Sequence, residues 1–142
     1  MRKDELLKRW VQGYPETLRP SLRKSFFQIV DNDWQNKLDL AQVNALWGGE
    51  AAGQNLTNFL NPGKFTIYSK DYTETVKQLQ KQGLRRNHNG EVELLEAFWN
   101  FETDRVNVPP ILVYADLIAS ADSRNLETAQ LIYDEYLARL VE

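Results

Sequence analysis

The chain has 142 residues, with 17 Lys and Arg against 20 Asp and Glu and a formal net charge of -3, a length that suits one domain burying about two thirds of its unfolded surface. It contains no cysteine and one histidine, which excludes disulfides, thiolate metal sites and thiol nucleophiles and leaves metal ligation to carboxylates and His88. No apolar run approaches the ~18 residues of a membrane span, and the polar start Met1-Arg2-Lys3-Asp4-Glu5 does not resemble a signal peptide, so the expected setting is cytoplasmic, with no membrane partner.

In chain order, Leu6, Leu7, Trp10, Val11 and Tyr14 recur at three- and four-residue spacing and predict a helix over Asp4 to Tyr14 with one apolar stripe. Pro15 cannot continue that ladder but can open a new turn, so Pro15-Glu16-Thr17-Leu18 predicts a short second helix ending before Pro20. Phe26, Phe27, Ile29 and Val30 predict a strand over Ser25 to Val30, closed by Asp31-Asn32-Asp33. Trp34 either covers a core edge or binds something, and Asp39 to Gln42 reads as a brief helical turn.

The stretch Leu46 to Tyr68 is the least ordinary. Val43, Ala45, Leu46 and Trp47 meet Gly48-Gly49, a helix-like segment runs to about Leu60, Asn61-Pro62-Gly63 turns the chain, and Phe65-Thr66-Ile67-Tyr68 returns as a strand. Paired glycines at a strand-to-helix corner allow positive φ and close packing. A tight core turn is the plainer reading and a phosphate cradle the sharper one; Gly-Gly by itself is a weak motif.

Asp71 and Glu74 have the spacing of a capping box at the start of a helix whose Tyr72, Val76 and Leu79 face inward and which Gly83 ends in a left-handed cap. Leu84 to Asn87 and Glu91 to Leu95, separated by His88-Asn89-Gly90, predict a hairpin, with His88 a solvated turn residue that has no second histidine to join. Phe98, Trp99 and Phe101 make Ala97 to Phe101 aromatic-rich. Ile111 to Ala119 is apolar on nearly every face except at Asp116, the pattern of a buried helix. Its carboxylate needs internal donors, with Arg124 or backbone amides as candidates, or a wet edge; structural pairing is favoured over the perturbed acid of a catalytic cleft. Asp122-Ser123-Arg124-Asn125 opens a last helix with Leu126, Ala129, Ile132, Tyr133, Tyr136, Leu137 and Leu140 on one stripe.

Charge is unevenly spread. Residues 1–24 carry seven Lys or Arg against Asp4, Glu5 and Glu16, whereas residues 91–142 carry eleven acids against Arg105, Arg124 and Arg139. Such ends either steer a partner or complement each other in the fold, and the second is favoured. A nucleic-acid footprint wants a basic stripe with interleaved aromatics, so DNA is not expected to bind this chain alone.

A glycine corner, a helix and a returning strand resemble the core of the nucleotidyltransferase superfamily, in which two carboxylates at alternating positions of that strand share one face and hold the catalytic metal ions. Here the strand reads Lys64-Phe65-Thr66-Ile67-Tyr68-Ser69 and Glu50 is the only acid of the corner, so a core of this type lacks its chemistry. A more specific resemblance spans nearly the whole chain. Leu6-Leu7-Lys8-Arg9-Trp10-Val11 with Tyr14-Pro15-Glu16-Thr17-Leu18-Arg19-Pro20, Trp47-Gly48-Gly49-Glu50-Ala51-Ala52 with Leu56-Thr57, Leu60, Pro62 and Phe65-Thr66-Ile67-Tyr68, Glu93-Leu94-Leu95 with Phe98-Trp99, and Val108 to Leu117 running into Arg124-Asn125-Leu126-Glu127-Thr128-Ala129 and Ile132-Tyr133 are similar to the C-terminal domain of AbiEi-type antitoxins of type IV toxin-antitoxin systems.

That resemblance implies a bacterial regulator that usually joins a winged helix-turn-helix to a domain of this kind, which counteracts a nucleotidyltransferase-type toxin. This chain opens at the motif that normally follows the winged helix, so the DNA-reading module is expected to be missing. The expected fold is α/β (α+β): one domain over residues 1–142, a mixed sheet flanked by helices, a degenerate nucleotidyltransferase-like core and a C-terminal helical pair. The expected role is a non-catalytic antitoxin-type regulator without cofactor or metal, its partner the cognate toxin. The alternatives are nucleotide binding or residual transfer, with Glu50, Asp116 and Arg124 converging on the corner, and DNA binding through the basic N-terminal helix. The candidate pocket comprises Trp47, Gly48, Gly49, Glu50, Thr66, Tyr68, Tyr114, Asp116, Arg124 and Asn125.

Overall fold

The computed structural model describes residues 2–99 and 106–140; Phe101 and the side chain of Leu140 lie outside what is described. Five strands, β1 (Lys24–Gln28), β2 (Ala45–Gly48), β3 (Phe65–Ser69), β4 (Arg85–Arg86) and β5 (Val92–Glu96), form one mixed sheet in the order β2-β3-β5-β1-β4. The β3–β5 pair is parallel and the others antiparallel. Along the outer edge of β2, the Trp47 N–H donates to Val106 O and the Val108 N–H to Trp47 O, each at 2.9 Å.

Alternation along the strands sends side chains to two faces. One face, with Phe27, Ile67, Val92 and Leu94, packs against α3 (Trp34–Lys37), the 3-10 turn Leu40–Val43 and α5 (Tyr72–Lys81). The other, with Leu46, Tyr68 and Leu95, packs against α1 (Lys3–Gly13), α4 (Gly49–Thr57), α6 (Pro110–Ser120) and α7 (Ser123–Ile132). The expected single mixed α/β domain and its C-terminal helical pair are both present. Trp34 is 2% exposed and meets Phe65 and Trp47 edge-on at 5.2 and 5.8 Å, so it is a core residue.

The glycine corner forms at the junction of β2 and α4. Gly49 has φ +51°, and a Cβ on Gly48 would lie 2.7 Å from the Tyr68 ring, so one glycine supplies the left-handed turn and the other the close approach. Helix α4 ends at Thr57, short of Leu60, because Asn58 takes φ 57°.

Several local expectations give way to tertiary context. The helical path does not stop before Pro20. A π turn (Tyr14–Leu18), closed by Arg19 N–H to Tyr14 O, carries it into α2 (Arg19–Ser21), with Pro15 and Pro20 each near the start of one of these two short segments. The Asp71–Glu74 capping box does not form: Asp71 N–H donates to Ser69 Oγ at 2.9 Å, leaving no amide for Glu74, which pairs with Lys77 instead. Leu6 of α1 is 59% exposed and so leaves the predicted stripe; on α7 Ala129 and Ile132 are buried as expected, but Leu126 is 41% exposed and Asn125 and Thr128 take the inward positions beside them. Gly83, φ +90°, ends α5 as expected, with Leu84 N–H closing onto Leu79 O at 3.1 Å.

The predicted hairpin is the largest correction. Strands β4 and β5 flank β1, both antiparallel to it, and do not pair with each other. The Asn-Gly turn exists, with Gly90 N–H on Asn87 O at 2.9 Å, but it carries the chain across β1. A Cβ on Gly90 would lie 2.1 Å from Phe27 O, so glycine is needed there for the crossing.

Candidate functional site

On the helix-rich face a cleft of about 650 Å³ opens where the helices leave β1 and β5 uncovered. Its floor is set by register: Thr66 of β3 lies beside Glu93 of β5, and Glu93 beside Phe26 of β1, so three side chains stand abreast on one face. Its walls come from Gly49 and Glu50 at the start of α4, Asp116 and Ser120 of α6, Asn125 of α7, Pro15 and Arg19, Lys64, and the His88–Gly90 crossing.

A chain of hydrogen bonds runs inward from the floor. Arg19 forks onto Glu93, Nη1 to Oε2 at 2.9 Å and Nη2 to Oε1 at 2.5 Å, and its Nε donates to Asp116 Oδ1 at 3.1 Å. Tyr68 OH donates to Asp116 Oδ2 at 2.8 Å and takes the Tyr14 hydroxyl proton at 2.5 Å. The strong geometry here is the bidentate guanidinium–carboxylate fork, which also joins the basic N-terminal end of the chain to its acidic half. Burial pushes the Asp116 carboxyl up to about 6, against the pull of Arg19 and of the Tyr68 hydrogen bond, with Glu93 adding to the rise. Burial also opposes the charge of Arg19, but its bonds to Glu93 and the attraction of Asp116 outweigh this and raise its pKa. Burial and the nearby Asp116 raise Tyr68 and Tyr14, so both hydroxyls stay protonated as donors.

Glu50 ties three elements together. Its Oε1 accepts from the Gly63 and Lys64 amides at 3.0 and 3.4 Å, and its Oε2 from Asn125 Nδ2 at 3.3 Å. The same Nδ2 donates to Ser120 Oγ at 2.9 Å, whose own proton goes to Leu117 O at 2.7 Å. Two acceptors thus fix the Asn125 amide orientation, and its buried Oδ1 has no hydrogen-bond partner.

Of the ten predicted site residues, Gly49, Glu50, Thr66, Asp116 and Asn125 meet at the cleft. Gly48 and Tyr68 lie in contact just behind it. The other three are elsewhere. Trp47 packs with Trp34 on the opposite side of β2. Tyr114 faces Tyr133 at 5.8 Å in a separate groove with Leu7 and Lys8. Arg124 does not reach Asp116: Asp122, which caps α7, holds its guanidinium 3.8 Å away at the surface. The donors to Asp116 are Arg19 and Tyr68, so Arg19, Glu93 and Tyr14 are the residues that sequence reasoning missed. Glu93 carried a signal, a lone acid inside the apolar run Val92 to Leu95; Arg19 read only as part of a basic end. Among the described residues, no group of three or more His, Asp or Glu is placed to hold a metal ion, and no helix is long and apolar enough to cross a membrane.

Comparison with known proteins gives one result. The family model described as "Transcriptional regulator, AbiEi antitoxin, Type IV TA system" matches residues 1–138. No curated protein and no solved structure matches the chain.

Proposed function

Given that this chain belongs to the AbiEi antitoxin family of type IV toxin-antitoxin transcriptional regulators, we propose that residues 1–142 act in the cytoplasm as a non-catalytic antitoxin domain counteracting a nucleotidyltransferase-type toxin, on a nucleotidyltransferase-like core that has lost its chemistry. One observation carries this reading. The two side chains that the returning strand directs at the glycine corner are Thr66 and Tyr68, where a nucleotidyltransferase needs carboxylates to hold metal ions. The acids that do lie near the corner are engaged by the protein itself: Glu50 by the Gly63 amide, Glu93 by the Arg19 fork and Asp116 by Arg19 and Tyr68. The metal-binding face of the strand is thereby converted into part of a structural network.

Growth rescue tests the role. Co-expression with the toxin encoded by the neighbouring gene is expected to restore growth. Gly49→Val, which forces a β-branched residue to φ +51° and against Thr66, is expected to abolish rescue. Nucleotide transfer by the purified chain, or saturable micromolar binding of a nucleoside triphosphate with Mg²⁺ in calorimetry, would overturn the non-catalytic reading.

A further inference from the structure

We propose that the cleft is a receptor for an organic cation, an ammonium or guanidinium group on an aliphatic stem, and not for an anionic ligand. The proposal does not depend on the antitoxin role. The charges lining the cleft are two cations, Arg19 and Lys64, against four carboxylates, Glu50, Glu91, Glu93 and Asp116. Arg19 already spends its charge on two of those acids, which leaves the exposed Lys64 as the one other cation against Glu50 and Glu91. A walled cleft with a net negative lining concentrates cations and repels a polyphosphate.

Hydrogen-bonding capacity points the same way. A carboxylate offers about four acceptor positions, yet Glu50 Oε2 receives a single bond, at 3.3 Å from Asn125. Independently, Asn125 lines the cleft, is 1% exposed and has a carbonyl oxygen with no partner. A buried acceptor left unpaired is costly, and a ligand that only donates would satisfy it together with Glu50. Ammonium and guanidinium groups carry three and five N–H donors and accept nothing. Phe26, half-buried on the floor beside Glu93, offers an apolar surface for the stem and a ring face for the charge. The positive end of α4 does not argue for an anion, because Glu50 occupies its first turn.

The test is an amide-resolved NMR titration of the whole chain at about pH 7.5 with three probes: agmatine, an uncharged-ended peptide containing one arginine, and Mg²⁺-ATP. Shifts on agmatine addition are expected at Gly49, Glu50, Thr66, Glu93 and Asn125. Saturation by agmatine alone assigns the site to a free small cation, and tighter saturation by the peptide assigns it to a basic side chain of a partner protein. Glu50→Gln keeps an oxygen for the Gly63 amide but loses the charge and is expected to weaken binding roughly tenfold. Lys64→Gln, at an exposed position, removes a competing cation and should tighten binding about twofold or more. Opposite signs for these two variants are not the result of a merely structural change. The proposal is overturned if neither cation shifts the cleft amides at millimolar concentration, if ATP occupies the cleft more tightly than agmatine, or if Lys64→Gln weakens agmatine binding. Each of those results leaves growth rescue unaffected.

Discussion

The two faces of the sheet use adjacent residues of the same strands for different ends. On the α5 side Phe27, Ile67, Val92 and Leu94 are fully buried among apolar neighbours, and the buried hydroxyls there, Ser25 with Tyr72 and Ser69 with Thr75, bond to each other and to no carboxylate, Ser25 also accepting from Arg86. One residue along, the opposite face carries Thr66, Tyr68 and Glu93 and meets Arg19, Asp116 and Tyr14. A neutral core depends on shape and should be indifferent to pH. A charged network depends on every member being present, because removing one strands the others.

The sharpest way to break the contrast is Arg19→Leu, which leaves Glu93 and Asp116 without their shared cation. A loss of about 4 kcal/mol is expected in urea denaturation near neutral pH, becoming smaller near pH 5, where Asp116 takes up a proton. Leu94→Ala on the other face should cost about 3 kcal/mol, equally at both pH values; a pH-dependent loss there would erase the distinction.

Asp116→Asn isolates the pH effect. The folded-state pKa of Asp116, about 6, lies above its ordinary 3.8, so the folded protein binds the proton more tightly than the unfolded chain. The contribution of this group to stability is therefore highest at low pH, falls as pH rises from about 4 to about 6, and is level above that. On the order of 2 to 3 kcal/mol should be lost across this window relative to Asp116→Asn, read as the pH profile of unfolding midpoints. A profile unchanged by the substitution would place the titration elsewhere. The smallest effect is Tyr14→Phe, which removes the hydroxyl at the inner end of the hydrogen-bond chain while Tyr68 still donates to Asp116, at about 1 kcal/mol.

The same contrast explains what the sequence disclosed. Ile67, Val92, Leu94, Val76 and Leu79 are apolar residues at strand or helix spacing, and their burial follows from periodicity. The Gly48-Gly49 corner was legible because Gly49 takes a left-handed turn and Gly48 has no room for a Cβ against Tyr68. The polar network was not, because its bonds join Arg19 to residues 74 and 97 positions away, and nothing in local pattern encodes such distances. Arg124 was a natural partner for Asp116 by proximity along the chain, but Asp122 caps α7 and retains it. The hairpin failed for a related reason: Asn89-Gly90 specifies a turn but not which strand lies between the arms.

That intervening strand has a consequence in time. β2 and β3 are joined through α4 and can pair once both exist, but Phe27 of β1 has its partners in Arg86 and Val92, far later in the chain. During synthesis β1 emerges with Phe26 and Phe27 uncovered and waits for residues 85–96 to leave the ribosome before either of its edges is closed. Such long-range pairing is slow, and it leaves strand edges open to self-association meanwhile. An early strand is thus locked between two late ones, and chains ending before Val92 retain an unclosed aromatic edge.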